Sequence, residues 1–235
     1  MTGKASRGVV RVLSPSAVHA SLEAIVAAHR AHGGAEVALT FETAPALAKR
    51  LAAGAAADII IAPPKVMDEL VGTGKARAEG RFQLGRAGVG VCVRAGQPLP
   101  DVSSTEALTT ALLEADAVFH TRASSGTYVA QLLDRLGLAE RLRDKIRSYH
   151  DAQETFAHQL NSTGRDIGFG GLPEIRRWRE RGLRLVAPLP PDIQHYTAYL
   201  AALAADPPNR DGALAFFAFL SSAEAKAILV ANGVD

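Results

Sequence analysis

Short runs of β-branched and aliphatic residues alternate with stretches of helical periodicity along nearly the whole chain, the pattern of an α/β protein with largely parallel sheets. Val9–Leu13 reads as the first strand. Val18, Leu22, Ile25 and Val26 then fall on one helical face, which stops at Gly33 and Gly34. Next come a strand at Val37–Phe41, a helix with Pro45 in its first turn and Gly54 as its stop, the apolar strand Asp58–Ala62, and a short helix around Val66–Val71. After Gly85 the pattern restarts with strand Val89–Val93, a Pro/Gly connection over 96–100, helix Thr105–Leu113 and strand Ala117–Thr121. Helix Gly126–Leu136 carries Val129, Leu132, Leu133 and Leu136 inward. Strands at Arg147–His150, Ile167–Phe169 and Leu183–Val186 interleave with helices near Gln153–Leu160 and Glu174–Arg181. Strand Tyr196–Leu203 then leads through Asp206 and two prolines into helices containing Leu214–Leu220 and Ala223–Val230.

Two βα sets of similar size, joined by extended segments near 85–95 and 186–197, predict a bilobed chain. Residues 1–86 with 197–235 form one lobe, residues 87–196 an inserted second, and a ligand cleft is expected between them. With 235 residues, 48% of them hydrophobic, the chain can bury such cores without staples. The single cysteine, Cys92, excludes an intramolecular disulfide and a multi-cysteine zinc site, and its apolar neighbours make it a small core residue. Lys and Arg number 26 against 24 Asp and Glu, and they are scattered. The one cluster, Arg176–Arg181, is partly neutralised by Glu174 and Glu180 and reads as a solvated helix face, so nucleic acid is not expected as a partner. The seven histidines show no metal-ligand spacing, so neither metal nor cofactor is expected; His29 and His32 read as solvated. No run reaches the ~18 apolar residues of a membrane span. The basic start runs straight into Val9–Leu13, too short and polar for a secretory signal. Read as written, the chain is cytoplasmic, or periplasmic if an export segment has been removed.

Several segments, in order, resemble the type 2 periplasmic-binding-protein fold, and within it the molybdate-binding branch of solute-binding proteins. Val12–Leu22 occupies the place of that family's first ligand loop. Phe41–Gly54, followed by Ala57–Ala62 and Met67–Leu70, is similar to its second loop, helix and strand, and Ala215–Gly233 resembles the C-terminal helix pair. The resemblance implies that hydroxyls and backbone amides from both lobes surround a tetrahedral dianion. The family's two serine positions fall here at Ala17 and Ala44. Each lost donor to a buried anion costs on the order of 1–3 kcal/mol, which turns the reading away from molybdate. Ser14, Ser16 and Thr43 lie close enough for a shifted loop to restore donors. Glu154 takes the place where a family backbone amide meets the ligand, and Gly170 and Gly171 stand where the family has a ligand-contacting tyrosine, which would open space for a larger guest.

Three strand-to-helix turns independently collect small hydroxylated residues: Ser14 to Ser16, Thr43, and Arg122 to Thr127. In open α/β sheets ligands sit beyond the carboxyl ends of strands, where free amides and the helix dipole favour anions. In the last turn Ser124, Ser125 and Thr127 can donate, Gly126 lets backbone approach a ligand, and Tyr128 or Tyr196 could add a hydroxyl. The same residues also suit an ordinary N-cap. The turn lacks the Lys and Ser/Thr of a nucleotide phosphate loop. Arg122 has the planar fork that fits a carboxylate, while His120, His19 and Glu154 are the candidate proton-transfer groups. Two functions follow. One is a small-anion binding protein, for an oxyanion or organic carboxylate, that could serve a membrane transporter. The other is a cofactor-independent isomerase of a small tricarboxylate resembling aconitate isomerase, which needs one group near neutral pH to move a proton and donors to hold the charge that develops.

Overall fold

Ile59–Ala62 is buried along its whole length, and runs of this kind form the inner strands of the computed structural model, which describes residues 8–235. In chain order the elements are β1 (Val10–Pro15), α1 (His19–Ala31), β2 (Val37–Glu42), α2 (Ala44–Ala52), β3 (Ile59–Ala62), α3 (Pro64–Gly72) and β4 (Phe82–Arg94). There follow α4 (Thr105–Glu114), β5 (Val118–Thr121), α5 (Ser124–Arg135), β6 (Ile146–Tyr149), α6 (Ala152–Leu160), β7 (Ile167–Gly171) and α7 (Leu172–Arg177). The chain closes with β8 (Leu183–Pro188), β9 (Tyr196–Leu203), α8 (Arg210–Leu220) and α9 (Ala223–Ala231). It divides into two compact units, residues 8–86 with Ala198–Asp235, and Ala87–Thr197.

The first unit orders its strands β2-β1-β3-β9, the first three parallel and β9 antiparallel on β3, with Ile59 opposite Leu203. Leu13, Leu47, Leu51, Ile60, Met67 and Leu70 form one of its cores, each side chain contributing roughly 1.5–3 kcal/mol by leaving water. Asp58 ties the sheet to α8. Its fully buried carboxylate accepts the Arg11 N–H at 2.7 Å and the Asn209 N–H at 2.6 Å.

In the second unit the order is β4-β7-β5-β6, with β8 also on β4. β5 runs parallel to β6 and β7, while β4 is antiparallel to β7 and β8. Leu108, Leu112, Val118, Leu132, Leu133 and Phe169 build one core, and Cys92, Phe156, Ile175, Trp178 and Leu183 a second.

Both sheets are therefore mixed: the first is mostly parallel, as expected, with β9 antiparallel on β3, while in the second β4 runs antiparallel to both β7 and β8. Apolar content reads the same in either direction along a strand, so the antiparallel entries of β9 and β4 leave no local mark. β4 starts at Phe82, seven residues before the predicted Val89, because glycines and charges interrupt its alternation. The helix expected at Glu174–Arg181 ends at Arg177 and continues as a 3-10 turn to Arg181, closed by Gly182 at φ 102°. Trp178 lies buried between them, edge-on to Phe156 and capped by the Arg181 guanidinium 4.6 Å away, so that one aromatic organises the basic cluster.

Candidate functional site

In the first unit the parallel register sets Ser14 beside Phe41 and Pro15 beside Glu42, so β1 and β2 finish level and their two turns are neighbours. Ser14 is fully buried and its hydroxyl donates to the Pro15 carbonyl at 3.1 Å, inside its own turn. Ser16 and Ala17 sit half-buried in the 3-10 turn that leads into α1. Thr43 is the extended N-cap of α2 but makes no side-chain cap bond, and Pro45 in the first turn has no N–H to satisfy. Ala44 is buried and contributes a methyl to the interior where a hydroxyl was sought. His19 opens α1, stacked on Phe41 at 3.8 Å and 3.1 Å from the Glu23 carboxylate.

In the second unit Thr121 pairs with Tyr149, and the next residue, Arg122, donates its N–H to the Tyr149 carbonyl at 2.8 Å. The Arg122 side chain is exposed and reaches the Ser148 carbonyl at 3.4 Å. Ala123 caps α5 with no side-chain bond, whereas α4, α6, α8 and α9 are capped by Ser104, Asp151, Asn209 and Ser222. The helix starts at Ser124, two residues before the expected Gly126, so Ser124 and Ser125 lie inside its first turn and Thr127 is exposed there. No cap side chain therefore engages the first N–H groups of α5, at an end that carries about half a positive charge.

Gly126 has a different reason to be glycine from the one its sequence suggests. A Cβ there would stand 1.8 Å from the Thr121 carbonyl oxygen, so the missing side chain lets α5 seat on the end of β5. Gly170 likewise leaves no room for a larger guest on its Cβ side. The Phe156 ring fills that side, with Cζ 2.6 Å from where a Cβ would be, while at Gly171 the nearest atom is a Glu174 carboxylate oxygen at 3.3 Å.

The start of α6 is closed by its own acids. Glu154 donates its N–H to Asp151 Oδ1 at 2.9 Å, and the Glu154 carboxylate accepts the His150 N–H at 3.1 Å. The amide sought for a ligand is thus engaged, and two carboxylates stand where a dianion would be repelled. Asp151 was not picked out from the sequence, although an Asp three residues before a Glu at a helix start is the signature that could have found it. Tyr128 spends its phenol proton on the Ile193 carbonyl at 2.6 Å, accepts from Arg135 at 3.1 Å, and stacks on His195 at 4.3 Å. The ring positions α5 against the 189–195 segment. Tyr196 is half-exposed at the start of β9.

His120 is buried on β5, its Nδ1 2.9 Å from the Thr121 carbonyl. A carbonyl only accepts, so Nδ1 carries the proton and Nε2 is the free base. Burial lowers the His120 pKa, opposed by that backbone bond, and the ring is neutral at pH 7. Among the described residues no group of three or more His, Cys, Asp or Glu is arranged to hold a metal ion.

Residues 10–235 match the family of bacterial extracellular solute-binding proteins. The chain belongs to that family. Its fold is that of periplasmic binding proteins. A periplasmic molybdate-binding protein from Azotobacter vinelandii superposes with a TM-score of 0.78 over 96% of this chain and 98% of its own, at 16% identity. The sulfate-binding protein SubI from Mycobacterium tuberculosis gives 0.74 over 96% and 86%, at 17% identity. An aconitate isomerase from a Pseudomonas species is 26% identical over 194 residues, 82% of this chain and 72% of that enzyme. The cytoplasmic location expected from the sequence finds no support in a family of extracellular proteins.

Proposed function

We propose that this solute-binding protein takes a small anion bearing carboxylates, held by the uncapped start of α5 and by the Arg122 guanidinium. The observation that carries the reading is the contrast among helix starts. α4, α6, α8 and α9 each engage one early N–H with a cap side chain, whereas α1, α2, α3, α5 and α7 do not, and the start of α5 is the one of these that Arg122 adjoins in sequence. Uncapped amides at such ends favour a negative guest, and an exposed arginine beside them can hold both oxygens of a carboxylate through parallel N–H bonds. The alanines at 17 and 44, which replace hydroxyl donors to a tetrahedral dianion, point the same way. We infer that the partner is a membrane transporter of the ABC type and that the protein works outside the cytoplasmic membrane, as its family's name implies.

Thermal shift against molybdate, sulfate, citrate and the two aconitate isomers tests this, because a ligand that binds only the folded state raises the melting temperature. The tricarboxylates raise it and the tetrahedral dianions do not. Arg122→Ala abolishes the tricarboxylate shift, and Thr43→Val reports whether the first unit contributes. A strong molybdate shift untouched by Arg122→Ala overturns the carboxylate reading.

His120 supports a second reading. A neutral histidine with a fixed tautomer, one residue from the Thr121 end of β5, is a competent base for moving a proton within a bound tricarboxylate, and the aconitate isomerase relative is 26% identical over 194 residues. Incubation with either aconitate isomer in heavy water separates the readings. Conversion lost in His120→Gln supports the isomerase, and no exchange leaves a binder.

A further inference from the structure

We propose that the segment 189–195, between β8 and β9, is an acid-sensitive latch: a proton on His195 sets a second cation beside the Tyr128 ring that Arg135 already contacts, the ring stack opens, and the segment loses its hold on α5. Every part of the latch belongs to the unit Ala87–Thr197, and it lies directly before the chain leaves that unit.

The segment is tied to three elements. On β4, the Gln194 side chain takes both backbone groups of Val89, accepting its N–H at 2.9 Å and donating to its carbonyl at 3.0 Å. On α4, Thr105 donates its hydroxyl to Asp192 at 2.6 Å. On α5, Tyr128 donates to the Ile193 carbonyl at 2.6 Å, and its ring lies flat on His195, centroids 4.3 Å apart and planes 12° from parallel. Of the side-chain types in these ties, imidazole is the one whose ordinary charge change falls between about pH 5 and 8.

Arg135 gives that charge its consequence. Its guanidinium carbon stands 5.2 Å from the centre of the Tyr128 ring, and Nη2 donates to the Tyr128 oxygen at 3.1 Å. The imidazole thus meets Tyr128 and Arg135 from α5. The neighbouring β4 residues, Gly88 and Val89, bring no charge, Tyr196 packs over Gly88, and the acid of the segment itself, Asp192, is engaged by Thr105. Burial, and after it the Arg135 charge, hold the His195 pKa below its ordinary value, so the ring is neutral and the stack closed at neutral pH. The opened segment binds the proton more readily than the closed one, so each pH unit below the ordinary imidazole range favours opening by up to about tenfold. Tyr128 stands in the second turn of α5, so acid also loosens the helix start assigned to the anion. That consequence rests on the carboxylate reading, whereas the latch does not.

Amide hydrogen exchange of the full chain without ligand, near pH 7.5 and near pH 5.5 and corrected for the intrinsic pH dependence of exchange, tests the latch apart from that reading. Protection of the Leu189, Ile193 and His195 amides, each hydrogen-bonded in the closed segment, falls roughly three- to tenfold in acid. His195→Phe, which keeps an aromatic ring on Tyr128 and removes the titrating group, leaves protection equal at both pH values. Arg135→Gln, a change on the exposed side of α5, raises the His195 midpoint followed through its Cε1 proton resonance. No fall in the wild type, the same fall in His195→Phe, or an unmoved midpoint in Arg135→Gln overturns the inference.

Discussion

Replacing Gly126 with alanine sets two simple expectations against each other. Judged by helix propensity, alanine in the first turns of α5 stabilises the protein by up to about 1 kcal/mol. The packing says the opposite. The new Cβ would lie 1.8 Å from the Thr121 oxygen and 2.5 Å from its carbonyl carbon, where 3.4 Å marks ordinary contact. The start of α5 must therefore retreat by about 1.6 Å, the difference between those two oxygen distances, or the end of β5 must give way. Forcing backbone apart in a packed interior costs roughly 1–3 kcal/mol and at times more, which outweighs the propensity gain. Urea unfolding should show a lower midpoint at unchanged slope, equivalent to about 2 kcal/mol. The same displacement moves the first amides of α5 away from a bound anion, and affinity for whichever tricarboxylate binds should fall on the order of a hundredfold, as misplacements near 1 Å do. For the unfolding measurement Ser125→Ala, which adds no bulk, serves as the control. A Gly126→Ala midpoint equal to or above the wild type would refute the close seating of α5 on β5, and with it the placing of the turn.

Two further predictions concern stability. Asp58→Ala strands the Arg11 and Asn209 N–H groups in the interior and should cost about 2–6 kcal/mol by urea unfolding, at roughly 1–3 kcal/mol for each unpaired donor. A loss under 1 kcal/mol would mean that β1 and α8 are tied by something else. His120 has a folded pKa below its unfolded one, so the unfolded chain binds the proton more readily. Its contribution should be level above about pH 6.5 and stability should drop as pH falls below that value, a slope that His120→Gln removes.

Strand and helix identities were mostly legible from periodicity. Tyr196–Leu203 has the bounds its pattern suggested, and the β5 turn leads into a helix as its Ser and Gly content implied. Strand direction was not legible, because pairing partners such as Ile59 and Leu203 are far apart in the chain. At the candidate site, residue types were informative and their duties were not. Gly126 and Gly170 are small because Thr121 and Phe156 crowd them, and Glu154 is acidic because it closes its own helix start with Asp151. Each of these depends on a neighbour brought in by packing. His195 was invisible for the same reason: only the fold lays its ring on Tyr128.

The division of the chain also bears on how it emerges from the ribosome. Ala87–Thr197 is one uninterrupted stretch and can assemble its sheet as soon as it has been made, while β3 must wait for β9, whose Leu203 is translated 144 residues after its partner Ile59. Until then an edge of Ile59, Ile60 and Ile61 stands without its neighbour, a template for pairing with another nascent chain. Translation pauses or chaperone capture acting before residue 203 should therefore govern soluble yield more strongly than any interruption inside the inserted unit.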